Sequence, residues 1–176
     1  VRFCEPPYDV LVGVHQFWNT ISNGAYLWVA WRHRDDGVVA APLCALAVGS
    51  ALFHGTDTRF GEYLDEGSMV WLVTTLLART SPPSSLAALY TVAWGAFAWY
   101  LWTAQYVWFL LPFASEVILL GWSVRQGTPW GILAVGVCCW TVEQRLCTAH
   151  PTLFVCHALW HVASAWAVAS TLDYIK

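Results

Sequence analysis

The stretch LFVCHALWHVASAWAV, residues 153–168, decides the fold. It contains no Asp, Glu, Lys or Arg, and its two histidines, His157 and His161, stand four residues apart. That spacing puts both on one face of a helix. An apolar run of this length reads as a membrane-spanning helix. Ionisable side chains inside such a span are costly, so they face a protein interior or a cavity and mark function. The stretch AVGSALFH, residues 47–54, repeats the pattern with Ser50 and His54, and Asp65 follows at the start of the next apolar run. Three imidazoles and a carboxylate suit a zinc ion that keeps one position open for water.

Composition agrees. Of 176 residues, 58% are hydrophobic, 16% aromatic and only 11% charged. A soluble domain carries about 25% charged residues, so the chain reads as a polytopic membrane protein, and a single domain over residues 1–176 accounts for it. A net charge of −3 without a basic run argues against nucleic acid as a partner. Many of the thirteen Trp lie near predicted span ends (Trp31, Trp71, Trp102, Trp122, Trp130). There they suit an interfacial belt, although core packing accounts for some of them equally well. The six cysteines, at 4, 44, 138, 139, 147 and 156, follow no CxxC or zinc-finger spacing. Most read as small apolar residues within helices.

Cut at charge and Gly/Pro clusters, the apolar runs form seven segments, roughly 13–31, 38–54, 65–79, 85–102, 105–123, 129–146 and 152–175. The weakest break lies near Thr103-Ala104-Gln105, but the 38 residues from Ser85 to Trp122 exceed one span. The expected fold is therefore all-α, a seven-transmembrane helix bundle. In an alternating weave, the helix ends carrying His54, Asp65 and His157 all fall on the N-terminal side of the membrane. Arg32, Arg34, Arg79, Arg125 and Lys176 lie on the opposite side, against Arg2, Arg59 and Arg145 with the N-terminus. That bias expects a cytosolic C-terminus and a lumenal or extracellular N-terminus and site. Cys4 and Cys147 share the site's side, outside the spans, where they form either a bridge or two free thiols.

Cys4-Glu5-x-x-Tyr8, Gln16-Phe17-Trp18-Asn19-Thr20-Ile21-Ser22-Asn23, Ser50-x-x-x-His54, Leu64-Asp65-Glu66, Trp140-x-x-Glu143-x-x-x-Cys147 and His157-Ala158-x-Trp160-His161 together resemble the alkaline ceramidases. That family belongs to a superfamily of seven-helix membrane hydrolases that includes the adiponectin-receptor relatives. The likeness runs from about Cys4 to His161. It implies zinc held by His54, His157 and His161, with Ser50 and Asp65 beside the water. It also implies hydrolysis of the amide bond of ceramide to a sphingoid base and a fatty acid, within endoplasmic reticulum or Golgi membranes. A Cys4–Cys147 disulfide is implied as well. Family members further bind calcium near the N-terminus through acidic and amide residues. Here Glu5 is retained, but Arg2, Phe3 and Pro7 fill neighbouring positions and Gln16 stands where a Glu is usual. Calcium takes about six to eight oxygens, typically with carboxylate charge. One carboxylate beside an arginine is a poor offer, so Glu5 reads as a degenerate calcium ligand that Arg2 is placed to neutralise.

Each residue also has a plainer reading. A lone histidine suits a core position bonded to a helix carbonyl; an i,i+4 pair joined by a third histidine on the same membrane side favours metal. Asp65 is the candidate general base and acid, or else an acceptor that orients a ligand imidazole. Ser50 is a candidate oxyanion donor, or it bonds the carbonyl one turn back. Glu62 and Glu66 read as solvated loop charges, Asn19 and Asn23 as hydrogen-bonding glue between helices. Glu143 and Arg145 are expected paired or solvated at a helix end, and His15, His33 and His150 at the surface or interface. Glu116 is a charge inside a span with no assigned partner. Two alternatives to a ceramidase stay open: a catalytically weak receptor or structural member with zinc as a staple between helices, and a related lipid hydrolase acting on another substrate.

Overall fold

The computed structural model describes residues 3–125 and 127–175. Every regular element among them is helical. The first apolar segment forms two pieces, α1 (Phe17–Ser22) and α2 (Gly24–Arg32). There follow α3 (Gly37–Thr56), α4 (Arg59–Thr80), α5 (Leu86–Thr103), α6 (Val107–Val124), α7 (Gly127–Leu146) and α8 (Val155–Tyr174). With α1 and α2 taken as one, the described residues form seven helical rods along the seven apolar segments. Gly37–Thr56, Val107–Val124 and Thr152–Tyr174 are long and apolar enough to cross a membrane. Single 3-10 turns at Pro83–Ser85 and Pro151–Phe154 lead into α5 and α8. Each opens on Pro, whose fixed φ suits a first helical turn.

The α3–α4 hairpin positions the site. Asp57 turns the chain with φ +49°, its N–H bonded to the Phe53 carbonyl at 2.7 Å. Thr58 then caps α4 by accepting from the Gly61 N–H at 3.2 Å, and Arg59 pairs with Glu62 at 2.6 Å. This capped, charged first turn is helical without being apolar, so hydropathy alone starts the helix six residues late, near Asp65. Two glycines then draw the backbones together. A Cβ on Gly49 would lie 2.8 Å from the Leu64 carbonyl carbon, and one on Gly61 would lie 2.7 Å from the Phe53 Cα. Only glycine allows such an approach. Ser50 and His54, each next in sequence to one of these contacts, are thereby set beside Asp65.

A second hairpin, α7–α8, closes where the Trp160 ring of α8 lies over Gly136 of α7. The α2 helix bridges α3 and α8, α6 packs on α4, and α5 lies against α4 and α6. The α6 and α7 helices meet where Trp130 covers Gly121. Towards the other end they face each other across a cavity, α6 presenting Leu110 and Ala114 and α7 Val137 and Trp140. The core runs through Val39, Leu43, Leu72, Leu76, Leu120, Val124 and Leu172. At the end away from the site, Arg79 pairs with Asp36 at 2.6 Å and Arg32 with Asp173 at 2.7 Å.

Several sequence expectations change. Trp31, Trp102 and Trp122 are exposed, as a belt requires, whereas Trp130 packs inside against Gly121. His33, expected at the surface or interface, is buried at the end of α2. The Asn23 amide donates to the Asn19 carbonyl at 2.8 Å, and the Asn19 amide to Gln16 Oε1 at 3.1 Å. These bonds lie within one segment and do not bridge helices, because Asn23 interrupts α1 and α2 and leaves nearby carbonyls to be met.

Candidate active site

His54 near the end of α3 and His157 and His161 in the first turns of α8 converge into one buried cluster. Their ring centroids lie 4.6 to 5.0 Å apart, and one ligating nitrogen from each falls within 4.8 Å of the others. The hydrogen bonds assign the ring nitrogens. His54 Nδ1 lies 2.7 Å from Gln16 Oε1, an amide oxygen that also accepts from Asn19, so Nδ1 carries the proton. Ser22 Oγ gives its only proton to the Asn19 carbonyl at 2.9 Å, so it accepts from His161 Nδ1 at 2.8 Å. His157 Nδ1 faces Glu143 Oε2 at 3.5 Å. His54 and His161 are thereby left with a bare Nε2 lone pair, while no hydrogen bond at Nδ1 fixes the proton of His157.

His54 Nε2 and His157 Nε2 stand 3.2 Å apart. In the absence of a cation, His157 Nε2–H can donate to the His54 lone pair at that distance. Tetrahedral zinc at its usual ~2.05 Å from nitrogen places two such donors about 3.3 Å apart. The three histidines, two of them held through Nδ1 by Gln16 and Ser22 and the third with Glu143 3.5 Å away, fit a zinc ion. Among the described residues, this is the cluster of His, Cys, Asp or Glu side chains whose ligating atoms come together for a metal.

Asp65, in the second turn of α4, is half-buried and receives a hydrogen bond from the buried Ser50 hydroxyl. The Ser50 hydroxyl is thus placed to hold that carboxylate. Phe3 covers the cluster, its ring edge-on to His54 and His157 with centroids 4.8 and 4.7 Å away. A cavity of about 330 Å³ opens beneath, bounded by Leu46, Phe109, Phe113, Val117, Leu133 and Val137 as well as by the histidines, Ser50 and Asp65. Its apolar walls and few convergent polar groups suit a lipid.

The N-terminal segment is fastened from three directions. Cys4 and Cys147 are joined through their sulfurs, with Cα atoms 5.1 Å apart. The Cys4 N–H donates to Glu143 Oε1 at 2.8 Å. Glu5 accepts from the backbone N–H groups of Trp18 and Asn19 at 2.6 and 2.9 Å, capping α1. Burial pushes the Glu5 carboxyl above its ordinary value, and those two amides pull it part of the way back. Both Glu5 oxygens are thus occupied, and the Gln16 oxygen is turned to His54. The described residues do not fit calcium. Arg2, the proposed partner of Glu5, lies outside the described residues.

Glu143, expected paired or solvated, is fully buried between Cys4 and His157. Its spacing of four residues from Cys147 placed it on that face, but nothing local signalled the histidine. Glu66 is likewise buried and lines the cavity, contrary to its reading as a solvated charge. Glu116 receives the Thr74 hydroxyl, with both carboxylate oxygens 2.9 Å from Thr74 Oγ1. The sequence offers Gln16 and Ser22 as motif positions and Phe3 as a departure from the family pattern, and points none of them to the metal centre, since each acts only through residues distant in sequence.

The fold and the site define an all-helical protein with membrane-suited helices around a buried three-histidine centre able to hold a metal ion. A family model described as Ceramidase matches residues 1–128. The chain belongs to the ceramidase family, and membership implies a hydrolase acting on the amide bond of a ceramide-type lipid. The match takes in Ser50, His54 and Asp65; His157 and His161 lie beyond it and reach the site through the packing of α8 on α1 and α2.

Proposed function

We propose that this protein is a zinc-dependent, multi-pass membrane hydrolase of the alkaline ceramidase type, cleaving ceramide to a sphingoid base and a fatty acid. The observation that carries the reading is the convergence of one ligating nitrogen from each of three histidines beside the Ser50–Asp65 pair, at the head of an apolar cavity. Zinc held by His54, His157 and His161 would supply Lewis acidity toward the amide carbonyl and the attacking water. Asp65 takes a proton from that water as its oxygen adds to the carbonyl carbon, and delivers it to the nitrogen as the C–N bond breaks. Ser50 keeps Asp65 aimed. Gln16, Ser22 and Glu143 hold the three imidazoles in the tautomer that ligates. Phe3 shields the histidines, and the separation of α6 from α7 beside the cavity gives a long-chain lipid a route in from the side.

Seven membrane crossings are supported by the seven rods and by the exposed apolar residues on α5 and α6, such as Val92, Trp99, Ile118 and Trp122. Arg32, Arg34, Arg79 and Arg125 at the far end support a cytosolic C-terminus and a lumenal site, in endoplasmic reticulum or Golgi. The Cys4–Cys147 bond suits a lumenal location. The test is metal content together with mass spectrometry of lipid products on wild type, His157→Ala and Asp65→Asn. Wild type should carry one zinc and release sphingoid base from ceramide in detergent. His157→Ala should lose both, and Asp65→Asn should keep zinc without turnover. Stoichiometric zinc with no hydrolysis of any long-chain amide would point instead to a metal that only ties α3 to α8.

A further inference from the structure

We propose that Glu66 is a specificity-determining residue, accepting a hydrogen bond from a hydroxyl on the amine half of the substrate. This rests on the amide-hydrolase reading above. Glu66 is only 6% exposed, yet it lines the cavity that holds the histidines and Asp65. The Tyr100 hydroxyl hydrogen-bonds its carboxylate. Its second oxygen, Oε2, is buried with no hydrogen-bond partner among the described residues.

No donor among the described residues reaches that oxygen, although tyrosines stand nearby. The wall of the cavity on this side is aromatic: Phe97 lies over Gly67, and Tyr100 stands against Tyr63, Tyr106 and Phe109. Leaving a buried acceptor unpaired is costly, and native structures avoid it. In a ligand cavity the missing donor is one the ligand brings.

The chemistry of the ligand then narrows the choice. An acyl chain carries no hydrogen-bond donor. The sphingoid half of a ceramide carries hydroxyls on carbons adjacent to the one bearing the amide nitrogen. Successive residues on a helix point about 100° apart, so Asp65 turns to Ser50 while Glu66 turns to Tyr100 on α5. One carboxylate attends the scissile bond, and its neighbour attends a group a few bonds away. Such a site rejects a lipid that offers the same chains and amide without the hydroxyl, because binding it would bury Oε2 unpaired.

The experiment measures kcat/KM on ceramide and on its 1-deoxy and 3-deoxy analogues in detergent micelles, for wild type and Glu66→Gln, with zinc content recorded for both. Wild type should discriminate against one analogue by about tenfold to a hundredfold, and in Glu66→Gln that preference should shrink by a similar factor. Equal losses on all three lipids in Glu66→Gln would show that Glu66 only holds Tyr100. If Glu66→Gln is not folded, the wild-type comparison still decides: equal turnover of ceramide and both analogues overturns the proposal. Failure of zinc-loaded wild type on every long-chain amide is a separate result, and it removes the underlying hydrolase reading instead.

Discussion

Gly49→Ala separates catalysis from metal binding. A Cβ at this position would sit 2.8 Å from the Leu64 carbonyl carbon and 2.9 Å from the Asp65 nitrogen. Carbon atoms settle at about 3.5 to 4.0 Å, so α4 has to retreat from α3 by roughly 0.7 Å or more. That retreat moves Asp65 away from Ser50 and from the histidines. A displacement near 1 Å costs about a hundredfold in a positioned reaction, so kcat on ceramide should fall between about tenfold and a hundredfold, with KM changing much less. The three histidines stand on α3 and α8, which do not meet through Gly49. Zinc content should therefore stay at one per chain, while overpacking removes about 1–3 kcal/mol of stability. The assay pairs product release by mass spectrometry with zinc measured on the same preparation. Loss of zinc in step with kcat, or a kcat within about threefold of wild type, would refute the idea that the glycine contact positions Asp65.

Three further outcomes are expected. Glu143→Gln places a competing amide against His157 Nδ1 and should weaken zinc binding about tenfold to a hundredfold in a chelator competition, with the helical circular dichroism unchanged. Cys4→Ser opens a link between residues 143 apart in sequence and should lower stability by about 2–4 kcal/mol, read as a fall in thermal midpoint that a reducing agent reproduces in wild type. Thr74→Val strips Glu116 of its hydroxyl partner and should cost about 1–3 kcal/mol, and Thr74→Ser should restore most of it.

Much of the scaffold was legible because the breaks between apolar runs carry their own chemistry. Asp57-Thr58, Ser81-Pro82-Pro83 and Thr148-Ala149-His150-Pro151 end helices by turn and capping preferences that act locally. The histidines stood out for a similar reason, since the i,i+4 spacing is a property of one helix. What escaped depends on packing between helices. Glu66 looked like a surface charge because Glu62 and Asp65 lie beside it, and only the docking of Phe97 and Tyr100 from α5 buries it. Glu143 looked solvated because it sits near a helix end, and the covering segment at Cys4 comes from the other end of the sequence. The start of α4 was set too late because Arg59 and Glu62 break an apolar run without breaking a helix.

The meeting of Phe3, Cys4 and Gln16 with His157, His161 and Cys147 also bears on how the protein is made. The site draws on α1 and α8, which lie far apart in the sequence, and α3, made well before α8, carries a single histidine. A nascent chain made only as far as α7 has Ser50 and Asp65 without the α8 histidines, so its three-histidine cluster is incomplete. On the function proposed above, a metal can be held only once α8 has been made and has packed on α1 and α2.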